Sequence, residues 1–349
     1  MDRADAAAGC LLGTAVGDAL GLACEGLSRR RQHKWHGSLE RYALLFGRGM
    51  CSDDTDHACM VAQAVAASGG DSGRFAASLG WRLRFWLLGL PAGVGFATLR
   101  SIIKLWLFVP QAWRGVRSAG NGPAMRSGIL GVLFADDDAR LRAHVRACTA
   151  ITHTDPKAHS GALAVALAAR AAMNGQGSEA LVGDLQAMAD DAEELVALLK
   201  AAQASASRGE STETFAASIG CAKEVSGYIY HSVPVALHAW MRDPHDLEAA
   251  LRSAIRCGGD TDTVAAITGA VVGAAVGRAG IPARRLAQLW DWPRGVAWID
   301  AAARNAVAAV DSGKPSGALS LSVPGLLLRN VFFLVVVLAH GFRRLAPPY

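Results

Sequence analysis

Glycine recurs at every fourth position through Gly9, Gly13, Gly17 and Gly21, in a stretch over residues 9–26 that is otherwise mostly small and apolar. On an α-helix this spacing lays the glycines along one slowly drifting face. A face without side chains lets a second backbone approach closely, which restricts the fold more than apolar composition does. The same spacing returns over residues 264–277, at Gly269, Gly273 and Gly277. In bilayers such spacing marks helix-dimer faces, yet both segments open on acidic or polar residues, which hydrocarbon penalises. The expectation is tight packing inside a water-soluble helical core.

The 349 residues are 52% hydrophobic and only 19% charged, and alanine supplies much of the apolar share. Alanine is the best helix former, so an all-α class follows. Helices are expected over residues 54–67, 75–88, 95–107, 138–149, 156–174, 179–206 and 224–242, with Gly/Pro breaks at residues 91–93, 120–123 and 243–244. Few stretches alternate as strands do. No linker divides residues 5–310, which read as one domain; residues 311–349 read as a linker and an apolar C-terminal helix.

Two acidic clusters carry the chemistry: Ser52-Asp53-Asp54-Thr55-Asp56 and Gly258-Gly259-Asp260-Thr261-Asp262-Thr263. Each precedes an expected helix, and Asp, Ser and Thr are good N-caps. Capping uses one such residue, whereas Asp53-Asp54 and Asp260-Asp262 concentrate negative charge that repels itself unless a cation neutralises it. Hard divalent ions such as Mg²⁺ take carboxylate and hydroxyl oxygens. Neither cluster fills an octahedral shell alone, so the two read as halves of one site that holds two ions if the fold joins them. Cys51 and Cys257 lie close to the clusters, but oxygen-rich neighbours favour a hard ion over a soft-ligand role.

The net charge of +5 is spread thinly, with local groups at Arg29-Arg30-Arg31 and Arg343-Arg344. This suits an anionic ligand; nucleic acid is not favoured, because no long basic stripe interleaves with aromatics. Seven cysteines without a C-x-x-C pair fit reduced core residues better than a disulfide framework. The first residues lack the basic-then-apolar layout of a signal peptide, so a cytoplasmic location is expected. Residues 323–342 form an apolar run of nearly transmembrane length, followed by Arg343-Arg344. Arg329 near its middle makes spanning costly, by about 2.5–3.5 kcal/mol. The expectation is a helix laid on the protein body, or one dipping into a membrane interface.

Residues 9–21 with Glu25, Ser52-Asp53-Asp54-Thr55, Gly120-Asn121-Gly122-Pro123-Ala124-Met125-Arg126, Thr152-His153 and the 258–263 cluster occur in one order. Together they resemble the ADP-ribosylglycohydrolases, a family that includes dinitrogenase-reductase-activating glycohydrolases and ADP-ribosyl-acceptor hydrolases. The resemblance covers residues 5–310 and leaves the apolar tail outside. It implies a compact, orthogonal all-α bundle with a binuclear magnesium (or manganese) site at the mouth of a cleft. Its implied metal ligands are Ser52, Asp53, Asp54, Asp260, Asp262 and Thr263. Glu25 is the implied catalytic acid/base, Gly120, Asn121 and Gly122 wrap the diphosphate and distal ribose, and His153 lines the ADP-ribose pocket. The implied reaction is hydrolysis of the N- or O-glycosidic bond joining ADP-ribose to an acceptor such as a protein arginine, releasing ADP-ribose. Asp18 reads as a structural hydrogen-bonding acid and Asp56 as a helix cap. His57, His231 and His238 match no role.

The chain departs from the family at one segment. Many members carry Pro-Asp-(Ile/Val)-Gly with an aspartate implicated in catalysis, where this chain reads Leu90-Pro91-Ala92-Gly93-Val94-Gly95. Glu25 then serves alone, or the reaction is slow, or the target linkage differs. The alternatives are a non-catalytic, crystallin-like binding or structural member of the family, and a hydrolase of ADP-ribosylated nucleic acid or of a metabolite.

Overall fold

Alanine and leucine dominate the interior, and the architecture they form is all helix. The structure, a computed structural model, describes residues 1–345. Its helices are, first, α1 (Arg3–Gly21), α2 (Arg29–His36), α3 (Asp53–Ser68), α4 (Ser72–Leu88), α5 (Phe96–Trp106) and α6 (Gln111–Arg114). There follow α7 (Gly128–Leu133), α8 (Asp138–Ala150), α9 (Pro156–Met173), α10 (Ser178–Met188), α11 (Glu193–Ser207) and α12 (Thr212–Ser218). The last are α13 (Ile229–Arg242), α14 (Leu247–Ile255), α15 (Thr261–Val276), α16 (Ala283–Gln288), α17 (Val296–Ser312) and α18 (Val323–Arg344). Among the described residues, extended chain pairs only as isolated bridges.

The two glycine stripes find each other. α1 and α15 run antiparallel, and a Cβ placed on Gly9, Gly13, Gly17 or Gly21 would fall 2.2, 2.1, 2.1 or 2.4 Å from the carbonyl oxygen of Gly273, Gly269, Ala265 or Thr261. No side chain fits between backbones this close. The register has a consequence for function: Gly21 meets Thr261, so the loop after α1 lies against the start of α15. On its other sides α15 packs against α9, α13 and α14. α1 is long and apolar enough to cross a membrane, yet it is wholly enclosed by protein.

α1 also places α3. Asp18, fully buried, accepts from the Ser52 N–H at 2.9 Å and from Thr55 Oγ1 at 2.5 Å. A carboxylate at the amide end of a helix is electrostatically favoured, so Asp18 is the structural acid expected. Asp56 is not merely a cap. It accepts from Trp86 Nε1 at 2.8 Å and pairs with Arg294, a buried guanidinium that needs an anion.

Two expected helices change. Residues 179–206 form α10 and α11, because Ala189 turns extended (φ −107, ψ 132) and Asp190-Asp191 are poor helix formers. Ser160 Oγ donates to Asp191 O at 3.2 Å and holds that bend. The segment 224–242 is helical only from Ile229, since backbone groups before it pair with neighbouring loops. All seven cysteines are free and buried.

α18 lies on the body, with its polar residues turned inward. Arg329 pairs with Asp291, Asn330 Nδ2 donates to Gly89 O at 2.7 Å, and His340 Nε2 meets Leu44 O at 2.6 Å. Near its end Arg344 donates to Glu25 O at 2.6 Å.

Candidate active site

Three loops meet at the end of the α1/α15 pair, and main-chain bonds join them. Gly26 N–H donates to Gly259 O at 2.8 Å, and Gly259 N–H donates to Leu27 O at 3.0 Å. The extended residues 225–228 complete the frame. Val225 N–H donates to Gly258 O at 3.0 Å, Asp260 N–H to Val225 O at 2.9 Å and Asn121 N–H to Gly227 O at 3.0 Å. Gly259 is required here: its φ is +81°, and a Cβ would sit 2.0 Å from Val225 O. Glu25, Asn121 and Asp260 are thereby fixed on adjacent loops, and α3 delivers Ser52 and Asp53 to the same place.

The resulting cleft of about 480 Å³ is lined by Glu25, Ser52, Asp53, Asp260, Asp262 and Thr263, and also by Gly120, Asn121, Gly122 and His153. Of the expected site residues, Asp54 alone stands outside the lining. It is fully buried, and its Oδ2 accepts from Ser52 Oγ at 3.1 Å and from Thr263 Oγ1 at 3.3 Å. That shared oxygen joins the two acidic clusters directly.

Negative charge accumulates here without relief. None of Asp18, Asp53, Asp54, Asp260 and Asp262 has a Lys or Arg ion-pair partner among the described residues. Burial, then the Asp18, Asp53 and Asp260 carboxylates, push Asp54 well above the usual carboxylate range. Burial and then Glu25 and Asp54 do the same to Asp262. Asp260 is raised by burial and eased by Asn121, whose Nδ2 donates at 2.6 Å. Glu25 reaches solvent at the open edge of the cleft, yet the flanking protein, then Asp260, raise its proton affinity, with Arg344 opposing. Asp54 Oδ1 and Asp262 Oδ1 are buried with no hydrogen-bond partner. Such a group of oxygens binds either protons or a cation. Among the described residues, no three His, Cys, Asp or Glu side chains converge as a ready-made ligand cage.

The glycine-rich loop is braced by its neighbours. The Gly120 N–H donates to Ser118 Oγ at 3.3 Å and the Asn121 N–H to Gly227 O at 3.0 Å. These bonds hold the loop and present the Asn121 side chain to the cleft. His153 backs it closely, since a Cβ on Gly120 or Gly122 would come within 3.2 Å of the imidazole. Burial, then Arg126, drive the His153 pKa down to about 3, so the ring is neutral at pH 7. Arg126 had no assigned role in the sequence, although it closes the matched 120–126 block. Fully buried, it donates to Thr152 Oγ1 at 2.6 Å, and that hydroxyl meets His153 Nδ1 at 2.9 Å. Thr152 Oγ1, which accepts from Arg126, can donate to Nδ1, and in that tautomer the ring proton sits on Nε2, facing the loop.

The remaining wall comes from the tail. Phe333 and Val337 of α18 line the cleft together with Ala92. Ala92, Leu22, Met50, Phe333 and Val336 form one small apolar cluster. Ala92, in the segment where the resemblance leads one to expect an aspartate, thus belongs to the apolar seat of the C-terminal helix while also lining the cleft.

Residues 1–315 match the family model described as ADP-ribosylglycohydrolase. The chain belongs to the ADP-ribosylglycohydrolase family. An ADP-ribosyl-[dinitrogen reductase] glycohydrolase of Rhodospirillum rubrum is 26% identical over 291 residues, covering 82% of this chain and 90% of that protein. A human ADP-ribosylhydrolase is 29% identical over 206 residues, or 49% of this chain and 53% of that protein. A solved structure titled as an ADP-ribosylglycohydrolase-related protein complex superposes with a TM-score of 0.65 at 26% identity, covering 88% of this chain and 99% of that one. The all-α bundle is the ADP-ribosylglycohydrolase fold, and the activity of the chain is hydrolysis of ADP-ribose linkages. α18 begins beyond the residues that the family model matches.

Proposed function

We propose that the chain releases ADP-ribose from modified protein side chains, with arginine as the acceptor, and uses two Mg²⁺ ions, Mn²⁺ being able to replace them. The observation that carries this reading is the meeting of Glu25, Asp53, Asp260 and Asp262 with the 120–122 loop in one cleft of about 480 Å³. An all-oxygen donor set with two orphaned buried carboxylate oxygens suits hard divalent ions. Ser52, Asp53, Asp54, Asp260, Asp262 and Thr263 would hold them. When bound, such ions supply charge neutralisation and fix the hydroxyls of the scissile ribose.

The rest falls to the side chains. Asn121 and His153 orient the ADP-ribose, with the His153 Nε2 proton available to an acceptor oxygen. Glu25, whose proton affinity is raised, takes a proton from the attacking water as its oxygen bonds to the anomeric carbon. The electron pair of the breaking C–N bond leaves with the guanidine, which recovers that proton from Glu25. An arginine linkage is cationic before cleavage and needs no earlier acid, whereas a serine ether does. With Ala92 in place of an aspartate, that difference favours arginine.

The test is free ADP-ribose release from arginine-, serine- and base-linked conjugates in Mg²⁺, with and without chelator. The expected result is release from the arginine conjugate that is abolished by chelator and by Asp260→Ala. Release from another conjugate alone would overturn the acceptor, release indifferent to chelator would overturn the ions, and no release from any would overturn hydrolysis of these linkages.

A further inference from the structure

The outer face of α18 is apolar and uncovered by the rest of the protein. Leu328, Val331, Phe332, Val335, Leu338 and Phe342 all project from it into solvent. Only 28% of its apolar window is buried. Apolar patches of this extent mark a contact surface. Around the helix stand further exposed aromatics. Trp290 and Trp292 are each more than half exposed, and the Trp290 ring lies 6.2 Å from that of Phe332. On the far side Phe46 is 100% exposed at the tip of the 45–48 turn, in a left-handed conformation (φ 45) that a phenylalanine rarely adopts.

Charge says what covers this face. No acidic residue follows Asp311, and the C-terminal end of α18 borders a cavity of about 880 Å³ lined by Lys34, Arg41, Arg343 and Arg344 with Glu40 as the one acid. Phe46 lines the same cavity. An apolar helix face, flanking Trp and Phe side chains and a basic pocket at the end of the same helix match the chemistry of a bilayer surface: acyl chains, interface and phosphates. A second copy of this chain would cover the apolar face but, at net charge +5, would bring no excess of anions to the cavity. A spanning orientation is opposed by the inward contacts, because it would pull Arg329 and Asn330 away from Asp291 and the Gly89 carbonyl.

We propose that α18, with Trp290, Trp292 and Phe46, docks the protein flat onto membranes containing anionic phospholipid, and that the basic cavity takes a lipid phosphate. The anchor lies on the same helix whose inner face walls the cleft, so the active site opens close to the membrane plane.

Co-sedimentation of the full chain with phosphatidylcholine vesicles, with and without phosphatidylglycerol, tests this. Binding is expected only or mainly with the anionic lipid and should weaken as salt rises. Arg41→Glu with Arg343→Glu should lower anionic-vesicle binding on the order of tenfold or more. Val335→Asp with Leu338→Asp should abolish it while helicity and ADP-ribose release stay as in the unmodified chain. Three results overturn the proposal. One is binding that is absent, or unaffected by either pair. Another is retention on vesicles through an alkaline carbonate wash, which would indicate a spanning helix. The third is a dimer in sedimentation velocity that the Val335/Leu338 pair dissociates while the unmodified chain ignores vesicles.

Discussion

α1 and α18 are both long and apolar enough to cross a membrane, and the fold treats them in opposite ways. α1 is enclosed on every side, whereas α18 keeps an apolar face in solvent. Mean hydropathy does not separate them; side-chain size and the placement of polar residues do. On α1 a stripe of glycine lets another backbone close over the helix, and its one charge beyond the first turn, Asp18, is spent on the amides of α3. On α18 the bulky Leu, Val and Phe residues surround a narrow polar strip, Arg329 and Asn330, that docks one side and leaves the other unpartnered.

The contrast breaks most sharply at Gly13. Gly13→Leu forces a side chain into a backbone contact and should cost more than about 4 kcal/mol, seen as lost soluble yield or a collapsed urea midpoint. A variant that unfolds near the original midpoint would mean that α1 and α15 are not packed backbone to backbone. Next comes the polar strip of α18. Arg329→Met leaves the buried Asp291 with a more distant Arg294 and should cost roughly 3–5 kcal/mol, while adding Asp291→Leu should restore much of it.

Enclosure penalises unpaired charge as well as bulk, and His238 reports on that. It is fully buried between Thr212 and Ser205, and burial, then Arg242, hold its pKa down to about 4. The unfolded chain takes up this proton first, near pH 6.5. The stabilising contribution is therefore complete above that pH and is lost as pH falls toward 4, by up to about 3 kcal/mol. Urea unfolding at pH 7 and near pH 4.5 should show the loss, and His238→Gln should flatten it. The smallest effect belongs to the open face: Val335→Ala should change stability by no more than about 0.5 kcal/mol in the same assay, since Val335 is mostly exposed.

Much of the site was legible in the sequence, because its signals are local. The acidic clusters, Glu25, the 120–122 loop and His153 stand in short motifs, and all but Asp54 line one cleft. The glycine stripes announced close packing without naming each other as partners, since a helix face carries no address. Residues 225–228 were read as helix because four residues that pair with loops show no strand alternation; the Ser226-Gly227 step was the only hint. Asp56 was read as a cap because its partner, Arg294, lies far along the chain. Ala92 was visible as a missing carboxylate, but Phe333, which shares its apolar cluster, stands 241 positions away in a segment outside the shared family region.

The central claim is that the glycine-packed pair α1/α15 and the α3 seated on Asp18 make two distant acidic clusters into one catalytic unit. The most direct measurement is a double-mutant cycle on ADP-ribose release with Asp53→Asn, Asp262→Asn and the two combined. If the clusters act as a unit, each single change should lower kcat/KM by about 10³-fold or more, and the pair little further, as for residues that work together. Losses that multiply, or one single variant with full turnover, would contradict it.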